Sequence, residues 1–281
     1  MSPAVISPLD GVVYGIVQGV AEFIPISSSG QLRLAQTWLN PGTDIAGFEA
    51  FTAILRIGTT AALLLFFWRE LVHVGMAWLR GLLDKKGRGT LEYRMGWYLV
   101  LATVPVIVLD IVFSRQLDGR AQNLWVVAIA LLATALLLAA AEWWSGRRRV
   151  EEDIDGSDAA AIGAGQVIGL IPGVSAPTAM IAAGIFRGLD RTTAARFAFL
   201  LSMPAVVGTT AFGLRKIGEP TAPGMGITIV ATMIAFALGL TAIWWLLRFL
   251  ARHSTLIFIA YRVAIGAVII TLLSVGSVSA T

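Results

Sequence analysis

Residues 124–141 contain no charged side chain, and residues 226–247 contain none either. About 20 consecutive apolar residues are what a helix needs to cross the hydrocarbon of a bilayer. Eight segments approach that length: 5–26, 45–67, 97–113, 124–141, 160–186, 196–214, 226–247 and 255–275. Composition agrees. Charged residues make up 14% of the chain and apolar ones 57%, whereas a soluble domain carries about 25% charged residues. A chain this poor in charge cannot cover a water-facing surface. Soluble globular and disordered classes are therefore excluded, and the expectation is an all-α, polytopic integral membrane protein forming one membrane domain over 1–281. Trp143, Trp144, Trp244 and Trp245 fall at segment ends, where an aromatic belt would sit. No basic stretch precedes the first apolar segment, so no cleaved signal peptide is expected.

The loops predict an orientation. Residues 68–96 hold Arg69, Arg80, Lys85, Lys86, Arg88 and Arg94, and residues 142–158 hold Arg147, Arg148 and Arg149. By the positive-inside rule both are cytoplasmic, which puts the link at 114–123 outside. The same bias accounts for the net charge of +4 without a nucleic-acid partner. Residues 146–159, acidic from 151 to 158, read as a solvated cytoplasmic linker between two halves, 1–145 and 160–281. With no cysteine and only His73 and His253, disulfides, thiolate chemistry and histidine-rich metal clusters are ruled out.

The halves resemble each other. VQGVAEFIPISSSG at 17–30 aligns with AGQVIGLIPGVSAP at 164–177, pairing Pro25 with Pro172 and Ser28 with Ser175. Each is followed by a second similar stretch, from Phe51 and from Phe197. Both copies put a helix breaker and serines inside an apolar run. Proline removes a backbone donor, and freed backbone groups in hydrocarbon cost several kcal/mol each. Such breaks survive where protein or a water-filled cavity covers them. Matching breaks in two halves therefore predict two re-entrant hairpins, related as inverted repeats, that enclose a midplane site. Helix N-termini at such breaks favour an anion.

Chemistry-bearing residues cluster at these breaks. Glu22 lies inside the first broken segment, four residues after Gln18 and so on the same helix face. An ionisable group at that depth costs at least about 2.5–3.5 kcal/mol and usually faces a cavity. Ser27, Ser28 and Ser29 form a hydroxyl-rich turn that suits phosphate oxygens. The second turn offers Gly173, Ser175 and Thr178 but no cation. Arg56, inside the apolar stretch 51–67, is the candidate cation, with Arg33 a second. Asp110 is read as interfacial, and Arg187, Asp190, Arg191 and Arg196 as a solvated or headgroup-facing connector.

These residues carry a family resemblance. GIVQGVAEFIPISSSG at 15–30 is similar to the first signature of the undecaprenyl-diphosphate phosphatases of the bacitracin-resistance type, an (E/Q)xxxE element followed by a serine turn. IPGVS at 171–175 resembles the start of their second signature, PGxSRSxxT. RMGWYLVLATVPVIVL at 94–109 and RFAFLLSMPAV at 196–206 also look like that family, so the resemblance spans nearly the whole chain. It implies a bacterial cell-membrane protein of two inverted repeats. It implies hydrolysis of undecaprenyl diphosphate to the monophosphate with phosphate released outside, use of Mg²⁺ or Ca²⁺, and often a homodimer. It implies that Gln18 and Glu22 belong to the catalytic element, that Ser27 is the nucleophile, that Glu22 acts as base or metal ligand, and that Pro172, Gly173 and Ser175 belong to the second signature, with Gly173 and Ser175 binding phosphate.

This chain departs from the pattern at particular positions. The histidine after the serine turn is Gln31, and the Arg, Ser and Thr of the second signature fall on Ala176, Pro177 and Met180. In the stretch 51–67, Arg56 stands where Gln is usual and Thr60 where Glu is usual. Gln31 cannot take a proton near neutral pH, and Ala176 removes a bidentate clamp on phosphate. Two readings stay open on sequence: a working phosphatase in which Arg56 replaces the clamp, and a non-catalytic relative acting as a lipid-phosphate binder, flippase or transporter.

Overall fold

The computed structural model describes residues 6–40, 45–121, 123–144, 146, 149–213 and 223–276. Among them the regular structure is helical: α1 Pro8–Ala21, α2 Ser28–Leu39, α3 Ile45–Phe66, α4 Trp68–Leu83, α5 Leu91–Ala121, α6 Leu124–Trp144, α7 Gly156–Ile168, α8 Ala176–Phe186, α9 Arg191–Gly213, α10 Met225–Leu250 and α11 Leu256–Ser274. Six helices among the described residues are long and apolar enough to cross a membrane, within α3, α5, α6, α9, α10 and α11. The protein is a polytopic, all-α integral membrane protein.

The two remaining sequence segments, 5–26 and 160–186, are each broken. α1 and α2 have 14 and 12 residues, and α7 and α8 have 13 and 11. At 1.5 Å per residue each is about 17–21 Å long, short of the ~30 Å hydrocarbon core. Each pair is joined by a turn around a buried proline, Pro25 or Pro172. The first hairpin is closed at its base. Ser7 caps α1 in a capping box with Asp10, and Pro8 follows at the first helical position. Asn40, at the end of α2, reaches back to donate to Asp10 Oδ2 (3.2 Å) and to accept from Tyr14 Oη (3.0 Å).

Small residues let neighbours approach. Gly15 and Gly19 of α1 lie so close to Ala231 and Ala235 of α10 that a Cβ would meet those carbonyl oxygens at 2.6 and 2.7 Å. This small-residue seam is how helices gain contact in lipid, where apolar burial alone drives little association. α10 packs on α1 and α3, and α5 packs on α7 and α9, while α6 packs on α8 and α11.

Three expectations about the polar segments change. Residues 68–96 are not a plain loop: α4 occupies Trp68–Leu83, packs on α5, and leaves Trp68, Val72, Met76, Leu79 and Leu83 exposed. The link expected at 114–123 is helical as far as Ala121, because α5 runs on from Leu91. The linker is not simply solvated. Asp158 is fully buried, bonded by Arg149 at 2.9 and 2.7 Å and by Arg187 at 2.8 Å. Burial pushes the Asp158 carboxyl up, but the bonds from Arg149, from the Asp155 N–H and from Arg187 outweigh that and hold it below the ordinary aspartate value.

The charged connector is likewise engaged. Arg191 grips Glu142 bidentately at 2.7 and 2.8 Å, Arg196 pairs with Glu70 at 2.9 Å, and Asp190 caps the start of α9. Glu142 also accepts from the N–H and hydroxyl of Thr255, joining α6, α9 and the start of α11. Arg147, Arg148 and the side chain of Asp110 lie outside the described residues.

Candidate functional site

Both hairpin turns end on a serine in a backbone conformation that L residues rarely adopt. Ser27 has φ 75° and Ser175 φ 30°, and among the described residues these are the non-glycine residues with positive φ. Each caps the helix that follows: Ser27 Oγ accepts from the Gly30 N–H at 3.4 Å, and Ser175 Oγ accepts from the Thr178 N–H at 3.5 Å. The structural equivalent of Ser175 is therefore Ser27, not the Ser28 that aligning the prolines selects. The second turn is one residue longer, and Gly173 (φ 89°) takes up the extra residue. Backbone strain of this kind, about 1–3 kcal/mol per residue, persists where surrounding packing over-determines it, and it clusters at functional sites.

The turns meet on α6. A Cβ on Gly30 would touch Val127 Cγ1 at 3.2 Å, and a Cβ on Gly173 would run into the Val127 backbone at 2.8 Å. They are also tied from behind by Arg262 of α11. Its guanidinium donates from Nη1 to the Pro25 carbonyl (3.2 Å) and to Thr178 Oγ1 (3.0 Å), and from Nη2 to the Gly173 carbonyl (3.2 Å) and to Thr134 Oγ1. Arg262 is wholly buried, as are Ser27 and Thr178. Next to it, Tyr261 Oη donates to Gln31 Oε1 at 3.0 Å, and Gln31 Nε2 donates to the Ile26 carbonyl at 3.3 Å. Gln31 thus fastens the first turn to α11.

Next to the turns lies a cavity of about 80 Å³. Glu22 and Phe23 line it from the end of α1, Thr59 and Thr60 from α3, Gln166 from α7, and Ser202 from α9. Ala176, Pro177 and Met180 of α8 line it as well. The three departures from the second signature therefore face the cavity that holds Glu22. Gln18, fully buried, donates from Nε2 to Glu22 Oε2 at 3.0 Å, which aims the carboxylate. Oε1 of Gln18 and of Gln166 are enclosed without a hydrogen-bond partner. Thr60 Oγ shares a 2.7 Å hydrogen bond with Thr210 Oγ, linking α3 to α9.

The other sequence candidates are placed as follows. Ser28 is half-buried and Ser29 exposed at the start of α2, and Ser175 is half-buried. Arg56 is exposed on α3 and does not line the cavity; among the described residues its guanidinium has no hydrogen bond or ion pair. Arg33 bonds to Gln36 Oε1 at 2.8 Å on its own helix. Sequence reasoning passed over Arg262, Gln166, Thr59 and Ser202. Arg262 carried a signal, being a lone charge in the apolar stretch 256–274. Its distance from both turns along the chain hid the connection.

A divalent cation has a limited donor set here. Among the described residues no three His, Cys, Asp or Glu side chains group together. Glu22 is the carboxylate on the cavity wall, and Gln166, whose amide oxygen is unpartnered, lines the same cavity. That set fits Mg²⁺ only as the ion is commonly held, by one or two carboxylates together with substrate phosphate oxygens.

Comparison with known proteins identifies the family. The sequence matches the family described as bacitracin resistance protein BacA over residues 11–268. It is 43% identical over 270 residues to an undecaprenyl-diphosphatase of Mycobacterium ulcerans (strain Agy99), covering 95% of this chain and 96% of that one. It is 42% identical over 274 residues to one from Mycobacterium bovis (strain BCG / Pasteur 1173P2), covering 96% and 98%. With family features on both broken hairpins and a match along most of its length, this chain belongs to the bacitracin resistance protein BacA family.

Proposed function

We propose that the protein is a membrane phosphatase that hydrolyses undecaprenyl diphosphate to the monophosphate and phosphate in the bacterial plasma membrane. The observation that carries this reading is that two turns, each ending in a strained serine, are held through their Pro25 and Gly173 carbonyls by one buried arginine, beside a cavity lined by Glu22. The chemistry matches. A diphosphate needs hydroxyl and N–H donors converging from two sides, and two helix N-termini provide them. The α1–α2 and α7–α8 pairs are too short to span, which supports reading both as re-entrant. The helix packing supports an inverted repeat: α10 lies against α1 and α3 as α5 lies against α7 and α9.

In this reading Ser27 Oγ attacks the terminal phosphorus, and its proton passes to Glu22. The anhydride P–O bond breaks, the lipid leaves as monophosphate, and water then cleaves the phosphoserine. Ser27 is enclosed in this conformation and accepts the Gly30 N–H, so attack requires that weak 3.4 Å cap to open. Gln18 keeps Glu22 oriented. Mg²⁺ or Ca²⁺ would be held by Glu22 together with the diphosphate and would supply charge neutralisation, with Glu22 then serving as ligand in place of base. A homodimer is a further expectation from the family, to be checked by mass measurement in detergent.

The deciding experiment is phosphate release from undecaprenyl diphosphate in detergent, with and without Mg²⁺ or Ca²⁺. Release is expected to fall by about 10³-fold or more in Ser27→Ala, as loss of a nucleophile does, while Ser29→Ala stays near the parent rate. Absence of release with retained lipid binding would replace the phosphatase with a lipid-phosphate binder or carrier.

A further inference from the structure

Arg262 is the largest side chain enclosed without solvent contact among the described residues. Its four hydrogen bonds go to two peptide carbonyls and two threonine hydroxyls, all neutral. No carboxylate pairs with it among the described residues, and its Nε has no partner at all. The other buried charged residues among the described ones are neutralised: Glu142 by Arg191, and Asp158 by Arg149 and Arg187. A buried charge is retained where it is paired or where it has a task. The two carbonyls that Arg262 holds belong to Pro25 and Gly173, each two residues before a strained serine. At Ala176 the chain lacks a cation on the cavity wall.

We infer that Arg262 is a positioning residue for the phosphate site, tying the two serine turns together and supplying from behind them the positive charge that an incoming diphosphate completes. This rests on the phosphatase reading. The mechanism acts through the turns. The guanidinium fixes the peptides that lead into Ser27 and Ser175, and so fixes the spacing of the two helix N-termini. Its uncompensated charge is bonded to the same turns and does not line the cavity, so it attracts an anion there without touching it. Thr134 of α6 and Thr178 of α8 accept from the planar fork and orient it between the two carbonyls.

Two measurements on the purified protein separate this from a merely structural stitch: steady-state phosphate release, and the rise in melting temperature caused by inorganic pyrophosphate. In Arg262→Gln, kcat/KM is expected to fall about 100-fold, the scale of losing an electrostatic stabiliser, with the pyrophosphate shift abolished. Arg262→Lys keeps the charge but cannot fork to both carbonyls. It should retain most of the pyrophosphate shift and KM while kcat falls about 10-fold. A stitch alone would make the two variants fail alike. The inference is overturned if they do, or if folded Arg262→Gln keeps the parent kcat/KM and shift. Should Arg262→Gln not fold, Thr134→Val carries the test: kcat/KM about 3–10-fold lower supports the inference, since one of four bonds is lost, and no change overturns it. A parent protein shifted by pyrophosphate but releasing no phosphate removes the phosphatase reading and leaves Arg262 to be judged on the shift. A parent showing neither response removes both.

Discussion

At the scale of single residues, position outweighs chemical type. Arg56 and Arg262 are both arginines within apolar helices, yet one is exposed and the other joins the two turns. Arg56→Gln is therefore expected to leave phosphate release within about 2-fold of the parent, because surface changes away from buried networks do little; a loss beyond 10-fold would return Arg56 to the site. Gly173 is the opposite case. Its φ of 89° and the 2.8 Å approach to the Val127 backbone leave no room for a methyl. Gly173→Ala should lower stability by about 2–4 kcal/mol and abolish release, read by melting and activity together. Glu22, Ser27 and the second turn were legible as residues because prolines and an acid in an apolar run have few uses. The equivalence of Ser27 with Ser175 was not, because the extra residue in the second turn is absorbed by Gly173, which only backbone geometry reveals.

Among the elements, the half-length pairs α1–α2 and α7–α8 hold both turns of the candidate site. α2 and α8 present their N-termini to one region because full-length neighbours hold the pairs. α10 grips α1 along the Gly11, Gly15 and Gly19 stripe. Gly19→Ile would force a branched side chain into the carbonyl of Ala235, which a Cβ alone meets at 2.7 Å. The expected outcome is separation of α1 from α10, a drop in melting temperature, and loss of release even though no cavity residue has changed. Parent-like melting would show that the seam is looser than the structure has it. The stripe puts small residues at every fourth position, the spacing that brings membrane helices together. The sequence reading passed over it, and its partner helix was not legible, since many apolar faces are interchangeable on composition.

For the whole molecule, ion pairs at the helix ends join segments distant in the chain. Asp158 connects the middle linker to the end of α8 through Arg149 and Arg187, and Glu142 connects α6, α9 and α11. Because the folded carboxyl of Asp158 titrates below its ordinary value, its contribution is fully present above the unfolded aspartate pKa of about 3.9 and is lost as pH falls through the lower folded value. Melting of the parent protein should decline through that acid window. Asp158→Asn should be less stable at pH 7 by about 2 kcal/mol, given the partial exposure of both arginines, and should converge on the parent in acid. A parallel decline in the two proteins would show that other carboxylates govern acid unfolding. Sequence placed these charges in solvated loops because charge runs usually are solvated; their partners lie on other helices, where no local pattern points.

The sequence by itself determined the membrane class, the six full spans, the two broken segments and the family, because each follows from local physics: how many apolar residues run together, and where proline and glycine interrupt them. Only the tertiary structure decided that both hairpins rest on Val127, that the departures at Ala176, Pro177 and Met180 line one cavity with Glu22, and that the arginine bonded to both turns is on α11 while Arg56 of α3 is exposed. The physical reason is reach. Transfer of an apolar run into lipid is decided within the run, whereas a hydrogen bond from Arg262 to the carbonyl of Pro25 joins residues 237 positions apart and exists only once every intervening helix has packed.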